Sequence, residues 1–187
     1  MIEKGCDAAI CAGYYFKIPV VSGFPIVNIH PSLLPVGRGS WPMPQTILRG
    51  FKTSGVTIHK IAEGFDTGDI LLQEKFNLEK CETHTSFMEK AYELLPMMLK
   101  ALVENFDALY ESAIPQSEEE YWEAPTEEDY TIDEDTSFEK ADLILRAFLG
   151  YDCIYKKGNE KHIIRNAKAV RGENSGKAFK IKGGYII

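Results

Sequence analysis

Asn28, His30 and Asp66 are residues of the types that stabilise charge at a carbonyl under attack. An amide N–H and an imidazole can donate hydrogen bonds to an oxygen as it becomes an anion. A carboxylate beside the imidazole can hold its tautomer, raise its pKa and take up a proton through water. With an amine as nucleophile, no activated Ser or Cys is required. Asn28 and His30 stand two apart, so on an extended segment they point to the same side. They close the run PIVNIH, just before Pro31, and strand ends on the carboxyl side of an α/β sheet are where binding sites form. Asp66 and Asp69 lie in DTGD, where Gly68 permits a bend that can aim a carboxylate at the histidine. On spacing alone, residues of these types are more often structural caps of a strand end and a turn.

The elements that must carry these residues are legible as pattern. CDAAICAG is a short apolar run stopped by Gly13, and PIVNIH is a second strand. SLLPVGRGSWPMP holds three prolines and two glycines in thirteen residues, so it is largely loop. QTILRG is a brief helical pattern closed by Gly50. SGVTIHKI alternates, with Val56, Ile58 and Lys60 on one side and Thr57, His59 and Ile61 on the other. EGFDTGDILLQEKF is a glycine-punctuated loop entering a strand. Apolar residues from Phe87 to Phe106 recur at helical spacing, predicting a long helix from Thr85 to about Tyr110 with an interruption at Pro96. Residues 112–136 read as an irregular linker or a wrapping strand anchored by Tyr121 and Trp122. Residues 137–148 predict a helix capped at Thr136 or Ser137. From Tyr151 onward the chain predicts strands, with a turn at Lys157, Gly158 and Asn159 and an apolar end, Tyr185 to Ile187, that needs a partner.

Over 187 residues, 44% hydrophobic and 26% charged composition indicates a folded chain with a real core and excludes collagen-like, coiled-coil and disordered classes. No apolar run is long enough for a membrane helix, and the start MIEKGCDAAIC lacks the parts of a signal peptide, so the expected compartment is the cytoplasm. Cys6, Cys11, Cys81 and Cys153 are scattered without a CxxC pair and are expected as reduced thiols. The histidines show no metal-binding arrangement, and Asp66 with Asp69 supplies too few oxygens for a hard cation, so no metal is expected. The net charge of -7 conceals two blocks: a balance of -12 over residues 111–142 and of +7 over 153–182. The basic block is either a solvated surface or a face that meets phosphate.

Three segments carry a family resemblance. AGYYFKIP at 12–19, NIHPSLLPVGRGSWP at 28–42 and GVTIHKIAEGFDTGDILLQ at 55–73 resemble the folate-dependent formyltransferases, in the family's order and with its distance of 38 residues from Asn28 to Asp66. YWEAPTEEDYTIDEDTSFEKADLILRAF at 121–148 is similar to the linker and short helix of the tRNA-acting branch. The resemblance implies an α/β fold, a partial doubly wound (Rossmann-like) sheet with a small β-rich C-terminal segment. It divides the chain into a catalytic portion at 1–110, an acidic linker at 111–136, and a small basic subdomain at 137–187, an incomplete barrel. It also implies transfer of a formyl group from 10-formyltetrahydrofolate to a primary amine. Asn28 and His30 would bind the formyl oxygen and the tetrahedral intermediate, while Asp66 pairs with His30 and relays the amine proton through water. Phe16, Lys17, Ile18, Ala62, Glu63, Gly64 and Phe65 match segments that line the pterin pocket. Ser32, Leu33, Leu34, Arg38 and Gly39 match the loop beside the acceptor. His59 matches a position that supports the catalytic groups in some relatives, against the plainer reading of a packed strand histidine.

Departures from the family pattern are also visible. Relatives place further strand–helix units before CDAAICAG, VVSGFPIV is too short for the helix expected there, and the stretch after Tyr151 is shorter than a closed five-stranded barrel needs. The linker reads Ile132, Asp133, Glu134, without the family's aromatic residue. The expectation is a shortened relative, or a sequence that omits parts of the protein. Three functions follow: formylation of methionyl-initiator tRNA, engaged through the basic C-terminal segment; formylation of an amino sugar or other small amine; and a catalytically silent binding or oligomerising module. Oligomeric state is not legible in the sequence.

Overall fold

A computed structural model describes residues 5–14, 16–171, 180–182 and 185–186. The chain divides into two units, one of Met1–Pro42, Lys52–Asn77 and Glu89–Glu123, the other of Met43–Phe51, Leu78–Met88 and Ala124–Ile187.

The first unit is built on a four-stranded sheet in the order β1 (Ala9–Ala12), β2 (Ile26–His30), β3 (Thr53–Lys60), β4 (Ile70–Asn77). β1 runs parallel to β2, while β2–β3 and β3–β4 are antiparallel. The α/β class is as expected, with the refinement that the sheet is mixed. Residues 13–25 join the parallel pair with no helix among the described residues.

Period-2 alternation gives this sheet two chemically different faces. Val27, Val56 and Ile58 form one core with Ala91, Met98 and Leu102 of helix α2 (His84–Glu104), and Ile29 and Leu72 pack against it. Leu71 joins that core because a bulge between Ile58 and His59 shifts the register, leaving it unpaired. Asn28, His30, Thr57 and His59 lie on the opposite face. β3 is therefore buried from Ser54 to His59, on both sides. Its polar side is covered by the loop after β2: Thr57 Oγ1 donates to the Ser32 carbonyl (2.7 Å) and accepts from the Leu34 amide (3.2 Å) and Gln73 Nε2 (2.9 Å).

Helix α1 (Pro42–Leu48) starts earlier than QTILRG suggested, since proline is tolerated in a first turn, where its missing N–H would be unpaired anyway. The long helix differs from expectation at two places. It runs unbroken through Pro96, which lies on the exposed side, where water can take the hydrogen bond that proline cannot donate. It ends instead at Glu104: Asn105 donates both its backbone amide (3.2 Å) and its side chain (3.1 Å) to the Ala101 carbonyl, and α3 (Phe106–Glu111) follows.

In the second unit, helix α4 (Phe138–Ala147) is capped by Ser137, which accepts from the Lys140 amide, and it buries Ala141, Ile144, Leu145 and Ala147. A short 3₁₀ turn (Glu127–Tyr130) leads into β5 (Thr131–Ile132), so the acidic segment is less irregular than expected. β5 pairs with β6 (Asp152–Lys157), β6 with β7 (Glu160–Arg165) across the Gly158–Asn159 turn, and β7 with β10 (Tyr185–Ile186). β8 (Lys168–Val170) and β9 (Lys180–Lys182) form a separate pair. The backbone of Tyr185 and Ile186 thus pairs with that of β7. Met1, Tyr15, Lys177 and Ile187 lie outside the described residues. All four cysteines are unpaired. No helix among the described residues is long and apolar enough to cross a membrane.

Candidate active site

Parallel pairing with β1 and antiparallel pairing with β3 fix β2 so that its last turnward residues, Asn28 and His30, sit on the polar face, and Asn28 stands opposite His59. His30 is 5% exposed and His59 1%. His30 Nε2 donates to the Gly37 carbonyl at 2.8 Å, and His59 Nδ1 donates to the Lys60 carbonyl at 2.8 Å. A carbonyl only accepts, so each ring is pinned in one tautomer. The remaining nitrogens, His30 Nδ1 and His59 Nε2, both lie 3.5 Å from the same oxygen, Asp66 Oδ1. The Asn28 amide donates to His59 Nε2 at 3.3 Å, leaving its second N–H uncommitted to that ring.

Asp66 is presented by backbone as much as by side chain. It is a non-glycine residue at φ 56, and its Oδ2 accepts from the Gly39 amide at 3.0 Å. The left-handed bend thus falls on Asp66, while Gly68 is required for a different reason: a Cβ there would collide with the Lys60 carbonyl. Gly39, at φ 130, has the Trp122 carbonyl where a Cβ would stand. Asp69 is taken by Lys60 Nζ at 3.1 Å. Among the described residues no group of three or more His, Cys, Asp and Glu side chains is placed to hold a metal ion.

Burial pushes the His30 pKa below its ordinary value, against the raising effects of Asp66 and the Gly37 carbonyl. Burial pushes Asp66 up, but the neighbouring His59 and His30 imidazoles and the Gly39 amide outweigh it, and its carboxyl lies below the usual range. A neutral imidazole facing a carboxylate can take up a proton and be stabilised in doing so. Such a group, two residues along the same strand from the Asn28 amide, suits proton uptake coupled to charge development on a carbonyl oxygen.

The sequence model of the formyl transferase family matches residues 3–103, more than half of the chain. The chain belongs to that family. A methionyl-tRNA formyltransferase from Ehrlichia ruminantium (strain Welgevonden) is 31% identical over 99% of the chain, which spans 65% of that protein's length. Two solved structures share the fold. HypX from Aquifex aeolicus, in complex with tetrahydrofolic acid, superposes with a TM-score of 0.79 at 23% identity, covering 93% of this chain and 31% of that one. The methionyl-tRNA formyltransferase from Clostridium thermocellum gives 0.67 at 24% identity, covering 98% and 78%.

In this formyltransferase chain the other expected residues fall into three groups. Lys17 Nζ stands 3.7 Å from Glu63, so the loop bearing Phe16, Lys17 and Ile18 lies against the loop of Ala62, Glu63, Gly64 and Phe65. Phe16 is 73% exposed and Phe65 is exposed beside Tyr121, with ring centroids 6.3 Å apart. Ser32 and Leu34 are buried, Ser32 Oγ donating to the Val36 carbonyl at 2.8 Å, and Leu33 packs over Gly55. Gly39 holds Asp66. Arg38 is buried, and its guanidinium donates to Gln116 Oε1 and to the Ser117 and Glu119 carbonyls. Motif reading passed over Gln116, whose Nε2 donates to the Asp66 and Gly68 carbonyls. No local pattern marks it. His59 had a usable signal, since strand alternation puts it on the face of Thr57.

Proposed function

We propose that the chain carries the transfer chemistry of an enzyme that moves the formyl group of 10-formyltetrahydrofolate to a primary amine, the amino group of methionyl-initiator tRNA. The observation that carries this reading is the convergence of His30 and Asp66 beside the Asn28 amide. The tRNA acceptor is supported by the Ehrlichia relative, which matches nearly the whole chain, and the folate donor by a protein of the same fold bound to tetrahydrofolic acid. Residues 1–110 supply the chemistry, with the pterin against Phe16, Lys17, Ile18 and Ala62 to Phe65, and the acceptor beside Ser32, Leu33, Leu34, Arg38 and Gly39. The stretch 111–136 leads to 137–187, which serves the acceptor. The setting is cytoplasmic translation initiation.

In the reaction, the amine nitrogen attacks the formyl carbon and the formyl oxygen gains negative charge. The second N–H of Asn28 donates to that oxygen. The amine proton passes to the Asp66–His30 pair. Its Nε2–H already spent on the Gly37 carbonyl, His30 accepts at Nδ1 and becomes a second donor between Asp66 and the oxyanion. The bond from the formyl carbon to the folate nitrogen then breaks, and the proton follows to that nitrogen.

A small amine acceptor is the second reading, favoured by one observation: much of the basic tail is spent on its own carboxylates. Lys156 and Lys161 both reach Glu127, Arg165 reaches Asp152 and Arg171 reaches Glu139. The deciding experiment measures tetrahydrofolate release by the intact protein with charged initiator tRNA or an amino sugar as acceptor. On the tRNA reading release requires the tRNA, and Asn28→Ala and Asp66→Asn each lower kcat, the former by about 100- to 1,000-fold as for loss of an oxyanion donor. Release with the amino sugar alone selects the second reading. No release with either acceptor leaves a silent binding or oligomerising module.

A further inference from the structure

The segment after α3 enters the first unit as a strap. It starts at Ile114, which exchanges both backbone hydrogen bonds with Ile70 at the head of β4 (2.8 and 2.9 Å). It ends at Tyr121 and Trp122, where Tyr121 forms a parallel bridge with Arg38 and the Trp122 amide donates to the Arg38 carbonyl at 2.8 Å. Between these anchors Gln116 reaches in both directions. Its Nε2 donates to the carbonyls of Asp66 (3.0 Å) and Gly68 (2.6 Å), and its Oε1 accepts from Arg38 Nε (3.2 Å) and Nη2 (2.9 Å). All four hydrogen-bonding contacts of one amide are thus spent on joining the loop 37–39 to the turn 66–68.

Those two segments are the ones that hold the catalytic pair. Gly37 supplies the carbonyl that fixes His30, Gly39 supplies the amide that fixes Asp66 Oδ2, and Asp66 itself sits in the turn at a positive φ that only surrounding contacts sustain. Arg38 lies between the two glycines, and its fork is filled by Gln116 and by the Ser117 and Glu119 carbonyls. The family match ends at residue 103, ahead of the strap. We propose that Gln116 is a positioning residue of this site: with Arg38 it locks the 37–39 loop to the Asp66 turn and thereby sets the His30–Asp66 separation.

The kinetic consequence of this inference rests on the formyl-transfer reading, whereas its geometry does not. The test uses Gln116→Met, which keeps length but makes no hydrogen bonds, and Gln116→Glu, which keeps an acceptor for Arg38 but loses both donations; if one variant fails to fold, the other decides. Nuclear magnetic resonance reads the Gly39 amide proton and the Asp66 carboxyl titration in the intact protein. In a folded variant, the Gly39 amide is expected to move toward the shift of a solvent-bonded amide, and the Asp66 pKa to rise by about one unit as its backbone donor is lost. Where turnover is measurable, kcat falls by about tenfold or more with KM for the folate little changed, as for a misplaced catalytic group. An unchanged Gly39 shift and Asp66 titration overturns the proposal. A protein with no turnover but with these shifts upholds it and defeats only the formyl-transfer reading.

Discussion

His59 shows how one side chain can serve two polar partners. Its Nε2 accepts from Asn28 and faces Asp66, and its Nδ1–H is fixed on the Lys60 carbonyl. Removing it as His59→Ala should free the Asn28 amide and deprive Asp66 of its strongest lowering partner, so the Asp66 pKa rises toward 3.8. On the proposed reaction kcat falls by about 10- to 100-fold. A carbon-13 titration of the carboxyl checks the first expectation, and turnover under saturation checks the second. His30 yields a pH prediction. Its folded-state pKa is lowered, so as pH falls the unfolded chain takes up the proton first. The stability held by the neutral ring is therefore complete above about 6.5 and lost as pH falls through the lower folded-state value. His84, buried and lowered in the same direction, adds to the same window. Asp66, lowered below 3.8, contributes a separate loss in stronger acid. Thermal midpoints between pH 7.5 and 5 should decline in the parent chain and decline less in His30→Asn; parallel curves would clear His30 of the effect.

Among the elements, the sheet does the sorting. Strand alternation places Val27, Val56 and Ile58 against α2 and Asn28, His30, Thr57 and His59 on the other side, so the core and the site are opposite faces of the same strands. The apolar stripe of α2 outweighs its proline: Ala91, Met98 and Leu102 are buried on either side of Pro96 in one continuous helix. Proline inside a helix costs about 3 kcal/mol, part of which is returned by the stiffer unfolded chain. Pro96→Ala should accordingly raise stability by about 1–3 kcal/mol, seen as a higher denaturant midpoint with an unchanged slope. A lower midpoint would mean that the proline fits a bend on which the packing depends.

Over the whole molecule, the two charge blocks partly answer each other. Within the second unit, Glu127 and Glu139 of the acidic stretch bind Lys156, Lys161 and Arg171 of the basic one. These pairs are exposed and individually weak, yet they compete with any external phosphate for the same cations. On the tRNA reading, replacing Glu127 and Glu139 by Gln should tighten binding and steepen its salt dependence by about one unit of slope for each cation released. Binding measured from 50 to 300 mM salt decides this, and an unchanged slope would place the acceptor elsewhere.

Sequence by itself determined the elements whose signals are local. The β-branched run of β3, the stripe of α2, a helix cap at Thr136 or Ser137 and the Gly158–Asn159 turn each reflect backbone sterics or side-chain period within a few residues. It also placed Asn28 and His30 on one side of β2, because alternation needs no tertiary information. Tertiary structure alone decided which groups complete the site. His59 reaches Asp66 through antiparallel register, the left-handed bend falls on Asp66 rather than on Gly68, and Gln116 arrives from 50 residues downstream on a segment that reads as a linker or a wrapping strand. Hydrogen bonds over such distances depend on where the chain returns in space, which neither composition nor spacing encodes.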